Sequence, residues 1–442
     1  MLLPWSCILY SMSKIFYLGY KNEKRLMEMT FLLFVLIWLG IAPFCQISAN
    51  HFPWPGVLSY DYADFVKAYA VIGTGIAFYE FGLLSRRKSI PALQNKEESS
   101  SKTIQLKPMI FLTVVVLFVT SFLISQYGGF SMFLHSRGES GLAYSSKMES
   151  LIVSNLIKVP PLVVLIFMLT YWKGRSGTKP FILILLTIVL LLMNFYISNP
   201  VYNPRYWFGT VALALFFTMA PWKRNSYINY AVSFTLVLIL IFPYADLFRR
   251  SLNAELVISS LTSPLIYKGD YDAFQIIMES IRYVGNHGID FGRQILGAIF
   301  FWFPRSLWYD KPYGTGQTIG ESLDFSFTNL SAPLWAEMYV GFGVFGVAVL
   351  FYIYGVLSRW MQKRYMEKGS KSLFGVIMPF LAAYQIYLLR GDLMNGMAYL
   401  SLFLICSYVF SKFIYRNPER QINAENYRRF NKKLSGINHM KF

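Results

Sequence analysis

Charge is what this sequence has least of. Only 14% of its 442 residues are Asp, Glu, Lys or Arg, while 55% are hydrophobic and 18% aromatic. A soluble domain carries roughly a quarter charged residues, so a soluble multidomain enzyme and a disordered chain are both excluded. Cysteine is nearly missing as well. Cys7, Cys45 and Cys406 lie far apart in apolar segments, with no CxxC pair and no disulfide framework. The four histidines are scattered, so no zinc-ligand spacing can be read. No metal site and no cofactor is expected.

Long apolar runs fill the chain, and its mean hydropathy is +0.42. Runs of this length match the ~30 Å hydrocarbon layer of a bilayer. Ten strong spans are read at about 27–46, 66–84, 108–126, 151–171, 181–198, 205–221, 228–247, 334–357, 373–389 and 396–415. A weaker one at about 2–20 contains Lys14 and has no small-residue cleavage site after it, which makes it a first span rather than a signal peptide. The expected fold is all-α, a polytopic integral membrane protein of 10–11 transmembrane helices with one large external loop. Four parts follow: N-terminal spans over 1–247, the loop over 248–333, C-terminal spans over 334–415, and a basic tail over 416–442.

The formal net charge of +18 is explained by where the cations lie. One alternating set of loops holds 27 of the 41 Lys and Arg residues and the opposite set 11, with Lys14, Lys67 and Lys158 inside spans. The positive-inside rule makes the richer set, and the C-terminal tail, cytoplasmic. The charge is a topology signal that also faces anionic lipid. No nucleic-acid-binding motif accompanies it, so nucleic acid is not an expected partner, whereas the lipid bilayer is.

Loops as long as the external segment, about 85 residues, are seldom idle. Asp270 is placed to N-cap a helix with Phe274, Ile277, Met278, Ile281 and Val284 on one face and Asp272, Gln275, Glu279 and Arg282 on the other. That helix would lie flat on the membrane or against other loops. The run Ile295–Phe303 is too short to cross, and it reads as an interfacial or re-entrant piece ending at Pro304. Arg305 then falls near headgroup depth. The stretch GTGQTIG (314–320) lacks the ending of a P-loop, and a flexible turn is expected there.

Positive charge is disfavoured outside, so the external cations require a reason. Arg205 follows Pro204 at a helix N-terminus, where an arginine opposes the dipole. Arg390 ends a span, a position at which a cation is favourable by itself. Arg305 has Asp310 and Lys311 as neighbours. Three cations at one depth would suit a diphosphate, because arginine's fork matches phosphate oxygens. Arg205, Arg305, Arg390 and Lys311 are therefore the candidate diphosphate ligands. The candidate bases are Glu337, one turn inside a span, and Asp310, Asp392 and His287. Glu337 also suits simple dipole compensation there.

The runs GDYDAFQ (269–275), FWFPRSLWYDKPYGTG (301–316), NLSAPLWAEMYVGFGVFG (329–346) and LLRGD (388–392) carry a resemblance. Together with the span count, the basic tail and the late external loop, they are similar to the O-antigen polymerase (Wzy-like) family, the oligosaccharide repeat unit polymerases. The resemblance implies a bacterial inner-membrane glycosyltransferase with a periplasm-facing site. It would transfer the growing glycan from undecaprenyl diphosphate to an incoming lipid-linked repeat unit, without metal or cofactor, and a chain-length regulator is a candidate partner. Functional external arginines carry over to Arg205, Arg305 and Arg390, and more weakly to Lys311. The family's base is not identifiable. Two alternatives stand beside it: an O-antigen ligase with the same donor, and a flippase or transporter of lipid-linked oligosaccharides. For the latter, Lys67, Glu80, Lys158 and the Pro160–Pro161 interruption are the relevant features.

Overall fold

The computed structural model describes residues 2–54, 59–85, 103–135, 147–173, 180–244, 260–325, 327–328, 330–369 and 372–416. The QNKEESSSK loop (94–102) and most of the basic tail, read from sequence as cytoplasmic, lie outside them. Eleven long helices follow one another: α1 (Leu2–Lys21), α2 (Leu26–Ala49), α3 (Tyr62–Leu84), α4 (Leu106–Gln126), α5 (Lys147–Lys173), α6 (Phe181–Ile197), α7 (Arg205–Met219), α8 (Ser226–Tyr244), then α12 (Leu334–Lys368), α13 (Leu373–Arg390) and α14 (Leu393–Ile414). Between α8 and α12 lie the shorter α9 (Ala273–His287), α10 (Arg293–Ile299) and α11 (Thr315–Ser322).

Seven of these helices are long and apolar enough to cross a membrane: α2, α4, α5, α8, α12, α13 and α14. Large apolar side chains such as Phe118, Phe181, Phe345 and Phe413 point outward. A polytopic membrane protein solvates them with lipid. The charges within α1 and α3 pair with each other, Lys14 with Glu80, and Tyr10 donates to the same carboxylate.

Close backbone approach joins α3 to α12. A Cβ on Gly82 would sit 2.2 Å from the Tyr352 carbonyl oxygen, and one on Gly355 would sit 2.1 Å from that of Tyr79. Small residues at a crossing let two helices meet this tightly. Further along, α12 breaks at Phe342–Gly343, where Gly343 has φ 63°. The break leaves carbonyls in need of donors. The chain before α10 supplies them: Asp290 N–H donates to the Val340 carbonyl at 3.0 Å, and Gly292 N–H to that of Gly341 at 3.1 Å.

Loop contacts sort the bundle into two ends. At one end Lys24 Nζ donates to Tyr365 Oη at 2.7 Å, Trp222 Nε1 to the Asn22 carbonyl at 3.3 Å, and Lys173 Nζ to the Thr218 carbonyl at 3.0 Å. There too Thr103–Ile104 pairs antiparallel with Tyr415–Arg416. These belong to the cation-rich set of loops. The other end is built around Gly269–Asp272.

Sequence and structure differ at two points here, the Asp270 cap and the glycine-rich stretch. Asp270 does not cap α9: it lies in a 3-10 turn (Gly269–Tyr271), and the helix starts after Asp272. The polar face of α9 is not turned to water. Every residue from Ala273 to Ser280 is buried, because the chain around Trp54 and Tyr60 covers that face. Gln275 Nε2 donates to the Trp54 carbonyl and to Tyr60 Oη, both at 2.9 Å. Finally, the glycine-rich stretch 314–320 is not a flexible turn, since Thr315–Ser322 is helical. Gly316 and Gly320, one turn apart, form a flat face for Leu330, whose carbonyl oxygen would lie 2.2 Å from a Cβ on Gly316.

Candidate functional site

The Gly269–Asp272 segment is seated by two irregular helical turns. A π-turn at Ile37–Ile41 in α2 carries Trp38, whose Nε1 donates to the Asp270 carbonyl at 2.7 Å. A second π-turn, Val237–Ile241 in α8, carries Leu238, whose carbonyl accepts from Tyr271 Oη at 2.6 Å. Helix irregularities of this kind commonly mark positions where a backbone group is needed outside the helix.

Two distant arginines meet on this seated segment. Arg205, only 5% exposed, pairs with Asp270 Oδ2 at 2.8 Å and donates to the carbonyls of Phe242 and Pro243 at 3.1 and 3.2 Å. Arg390 pairs with Asp272 Oδ1 at 3.2 Å, donates through Nε to the Asp270 carbonyl at 3.1 Å, and also reaches the Gly269 carbonyl. Its guanidinium lies over the Tyr206 ring, 4.8 Å from the centroid. Asp272 is fully buried and also accepts from Trp54 Nε1 at 2.8 Å and Ser331 Oγ at 2.9 Å. Burial pushes the Asp272 carboxyl above its ordinary range, and Arg390 pulls it back. Both arginines are thus neutralised by carboxylates, one each.

The loop after α10 is built differently. Arg305 donates to the carbonyls of Lys311 and of Pro312, the latter at 2.9 Å, and its guanidinium lies 4.1 Å from the Tyr313 ring centroid. Lys311, 6% exposed, donates from Nζ to the carbonyls of Phe301 and Phe303 at 2.7 and 2.9 Å. Arg293, at the start of α10, donates to the Asp310 carbonyl at 2.7 Å. Among the described residues none of these three cations forms an ion pair with a carboxylate. Carbonyl dipoles hold them in place but leave their charge uncancelled. Burial, and after it the Arg305 charge, lowers the Lys311 ammonium below its ordinary 10.5.

Two of the candidate bases come together four residues further on. Glu337, 2% exposed, accepts from Thr315 Oγ1 and from the Leu393 N–H at 3.0 Å. Asp392 caps α14, accepting from Met394 N–H at 2.8 Å and Asn395 Nδ2 at 3.3 Å. Gly314 packs on Asp392 so closely that a Cβ there would lie 2.2 Å from Oδ2. Burial raises the Asp392 carboxyl above its ordinary range, against the pull of the N–H groups of Met394 and Asn395.

The remaining candidates lie elsewhere. His287 is exposed at the end of α9, its ring 4.6 Å from that of Tyr283. Asp310 is exposed, and its backbone rather than its carboxylate is engaged by Arg293. The four cations are anchored in two pairs: Arg205 and Arg390 on the Gly269–Asp272 segment, Arg305 and Lys311 within the 301–313 loop. Sequence reasoning passed over Arg293, although it too is an arginine in a loop where arginines are disfavoured. It also missed Asp270 and Asp272 as counter-ions, because nothing local links them to residues 205 and 390. Among the described residues no three of His, Cys, Asp and Glu converge to hold a metal ion. No protein-family model, curated protein or solved structure matches this chain.

Proposed function

We propose that this protein is a polysaccharide polymerase of bacterial plasma membranes. It would move a growing glycan from undecaprenyl diphosphate to an incoming lipid-linked repeat unit on the outer face, in O-antigen or capsule-type synthesis. All eleven long helices cross, α9–α11 form the outer loop with α10 at the interface, and the cation-rich end is cytoplasmic. The single observation that carries this reading is the 293–313 loop, where Arg293, Arg305 and Lys311 are anchored by carbonyls and, among the described residues, form no ion pair with a carboxylate. The resemblance of the 269–346 and 388–392 runs supports the same conclusion.

The chemistry suits such a site. A lipid diphosphate is already a good leaving group, so no nucleotide or covalent intermediate is required. What the protein must supply is preorganised positive charge where charge develops on the departing diphosphate. Charge-assisted hydrogen bonds contribute roughly 1.5–3 kcal/mol each, and a guanidinium held by carbonyls keeps further N–H groups for phosphate oxygens. The pairing of Lys14 with Glu80 inside the bundle favours an enzyme over a transporter, which would keep such charges for its cargo.

Deleting the gene and sizing the surface glycan is the test. A polymerase deletion leaves single repeat units on the final carrier. Ligase loss instead leaves polymer on the lipid diphosphate, and flippase loss leaves units facing inward. Full-length surface glycan in the deletion strain sinks the reading.

A further inference from the structure

The Lys311–Thr315 segment links two groups of opposite chemistry. At one end stand Lys311 and Arg305, with no carboxylate partner among the described residues. At the other, Gly314 and Thr315 touch Asp392 and Glu337, two carboxyls that form no ion pair among the described residues. Five residues extend to at most about 18 Å, which bounds the separation of the two groups along the chain. Arg390 is only two residues from Asp392, but it is committed to Asp272.

Resting on the polymerase reading, we propose that Asp392 is the catalytic base for the acceptor hydroxyl and that Glu337 is its positioning residue. Asp392 is partly exposed, whereas Glu337 is not. Oδ1 of Asp392 is taken by the Met394 N–H, and Oδ2, facing Gly314, has only the long contact to Asn395. Glu337 fixes the base by accepting the N–H of the next residue, Leu393, and it ties the cationic loop to the same point through Thr315.

In the step, the acceptor O–H proton passes to Asp392 Oδ2. The hydroxyl oxygen's electron pair forms the new bond to the donor sugar's C1. The C1–O bond to the diphosphate breaks, and its pair leaves on the diphosphate, beside Arg305 and Lys311. Asp392 then releases its proton to water.

The carboxyl charges that act on Glu337 are those of Asp392 and of Asp290, whose carboxylate accepts the Gly292 N–H before α10. Burial holds the proton affinity of Asp392 up against the N–H groups of Met394 and Asn395, which a base working near neutral pH requires.

The conservative variants in the test preserve the hydrogen bonds to backbone N–H groups. Asparagine caps a helix as well as aspartate, so Asp392→Asn keeps α14 intact, and Glu337→Gln keeps the acceptor for Leu393. The full chain is measured in two ways: surface glycan length in the deletion strain, and binding of farnesyl diphosphate to purified protein. The expected result is that Asp392→Asn binds farnesyl diphosphate within two-fold of wild type but polymerises at least 100-fold less. Glu337→Ala, which removes the acceptor for the Leu393 N–H, should cut polymerisation at least ten-fold with farnesyl diphosphate binding within two-fold of wild type, and Glu337→Gln, which restores that acceptor, should recover most of the loss. Polymerisation by Asp392→Asn within two-fold of wild type overturns the assignment of the base. Polymerisation by Glu337→Ala within two-fold of wild type overturns the role of Glu337. Neither outcome touches the polymerase reading, which falls only if the deletion strain still makes full-length glycan.

Discussion

Two pairs of cations at the same end of the molecule are held in opposite ways. Arg205 and Arg390 each face a carboxylate, Asp270 and the fully buried Asp272, and several carbonyls. Arg305 and Lys311 are anchored by carbonyls and, among the described residues, pair with no carboxylate. The first pair crosslinks α7 and α13 to the Gly269–Asp272 segment, and its charge is cancelled. The second retains its charge, and binding an anion is what would cancel it. An external arginine therefore says little about function until the group opposite it is known.

The largest effect that would break this contrast is on stability. Arg390→Ala leaves Asp272 fully buried without its cation, and removing one partner of a buried pair costs about 3–5 kcal/mol. The expected outcome is a sharp fall in folded protein, read as membrane yield and as the Tm of whatever is purified. Replacing the pair together, Arg390→Met with Asp272→Leu, should recover most of that loss. A single variant with wild-type Tm would show that this arginine is not structural.

Next in size is a loss of binding without a loss of fold. Arg305→Ala removes an exposed cation that has no carboxylate partner among the described residues, so yield and Tm should stay near wild type. Farnesyl diphosphate affinity should fall roughly ten-fold or more, the worth of one charge-assisted contact. Arg305→Lys should restore little, because a lysine cannot span the Lys311 and Pro312 carbonyls and a phosphate at once. Equal affinity in the alanine variant and the wild type would dissolve the distinction between the two pairs.

The smallest effect is a pH slope. The Lys311 ammonium is held below 10.5 by burial and by Arg305. Only its protonated form attracts an anion. Diphosphate affinity should therefore be complete at neutral pH and weaken as pH rises through the lowered pKa, before 10.5 is reached. Lys311→Met should bind more weakly and show no such slope. A slope that survives the substitution would assign it to another group.

Much of the helical frame was legible in the sequence. The apolar runs near 27–46, 108–126, 151–171 and 373–389 emerge as α2, α4, α5 and α13, because burying a helix in lipid depends on length and composition alone. The outer segment was less legible. Its glycines at 316 and 320 read as a turn but form a packed helix face, since Leu330, which covers them, arrives from ten or more residues away. What covers the polar face of α9 could not be read locally, because that chain lies more than two hundred residues earlier.

By itself the sequence determined that the chain is a bundle of apolar helices, and which loops share an end of it. Both follow from free energies that each residue contributes independently: transfer of side chains into an apolar layer, and the bias of lysine and arginine towards one side. The tertiary structure alone decided which arginines are cancelled, which keep their charge, and which carboxyls stand together. An ion pair depends on the distance between two particular side chains. No local pattern records that residue 205 meets 270, that 390 meets 272, or that 337 holds the amide next to 392.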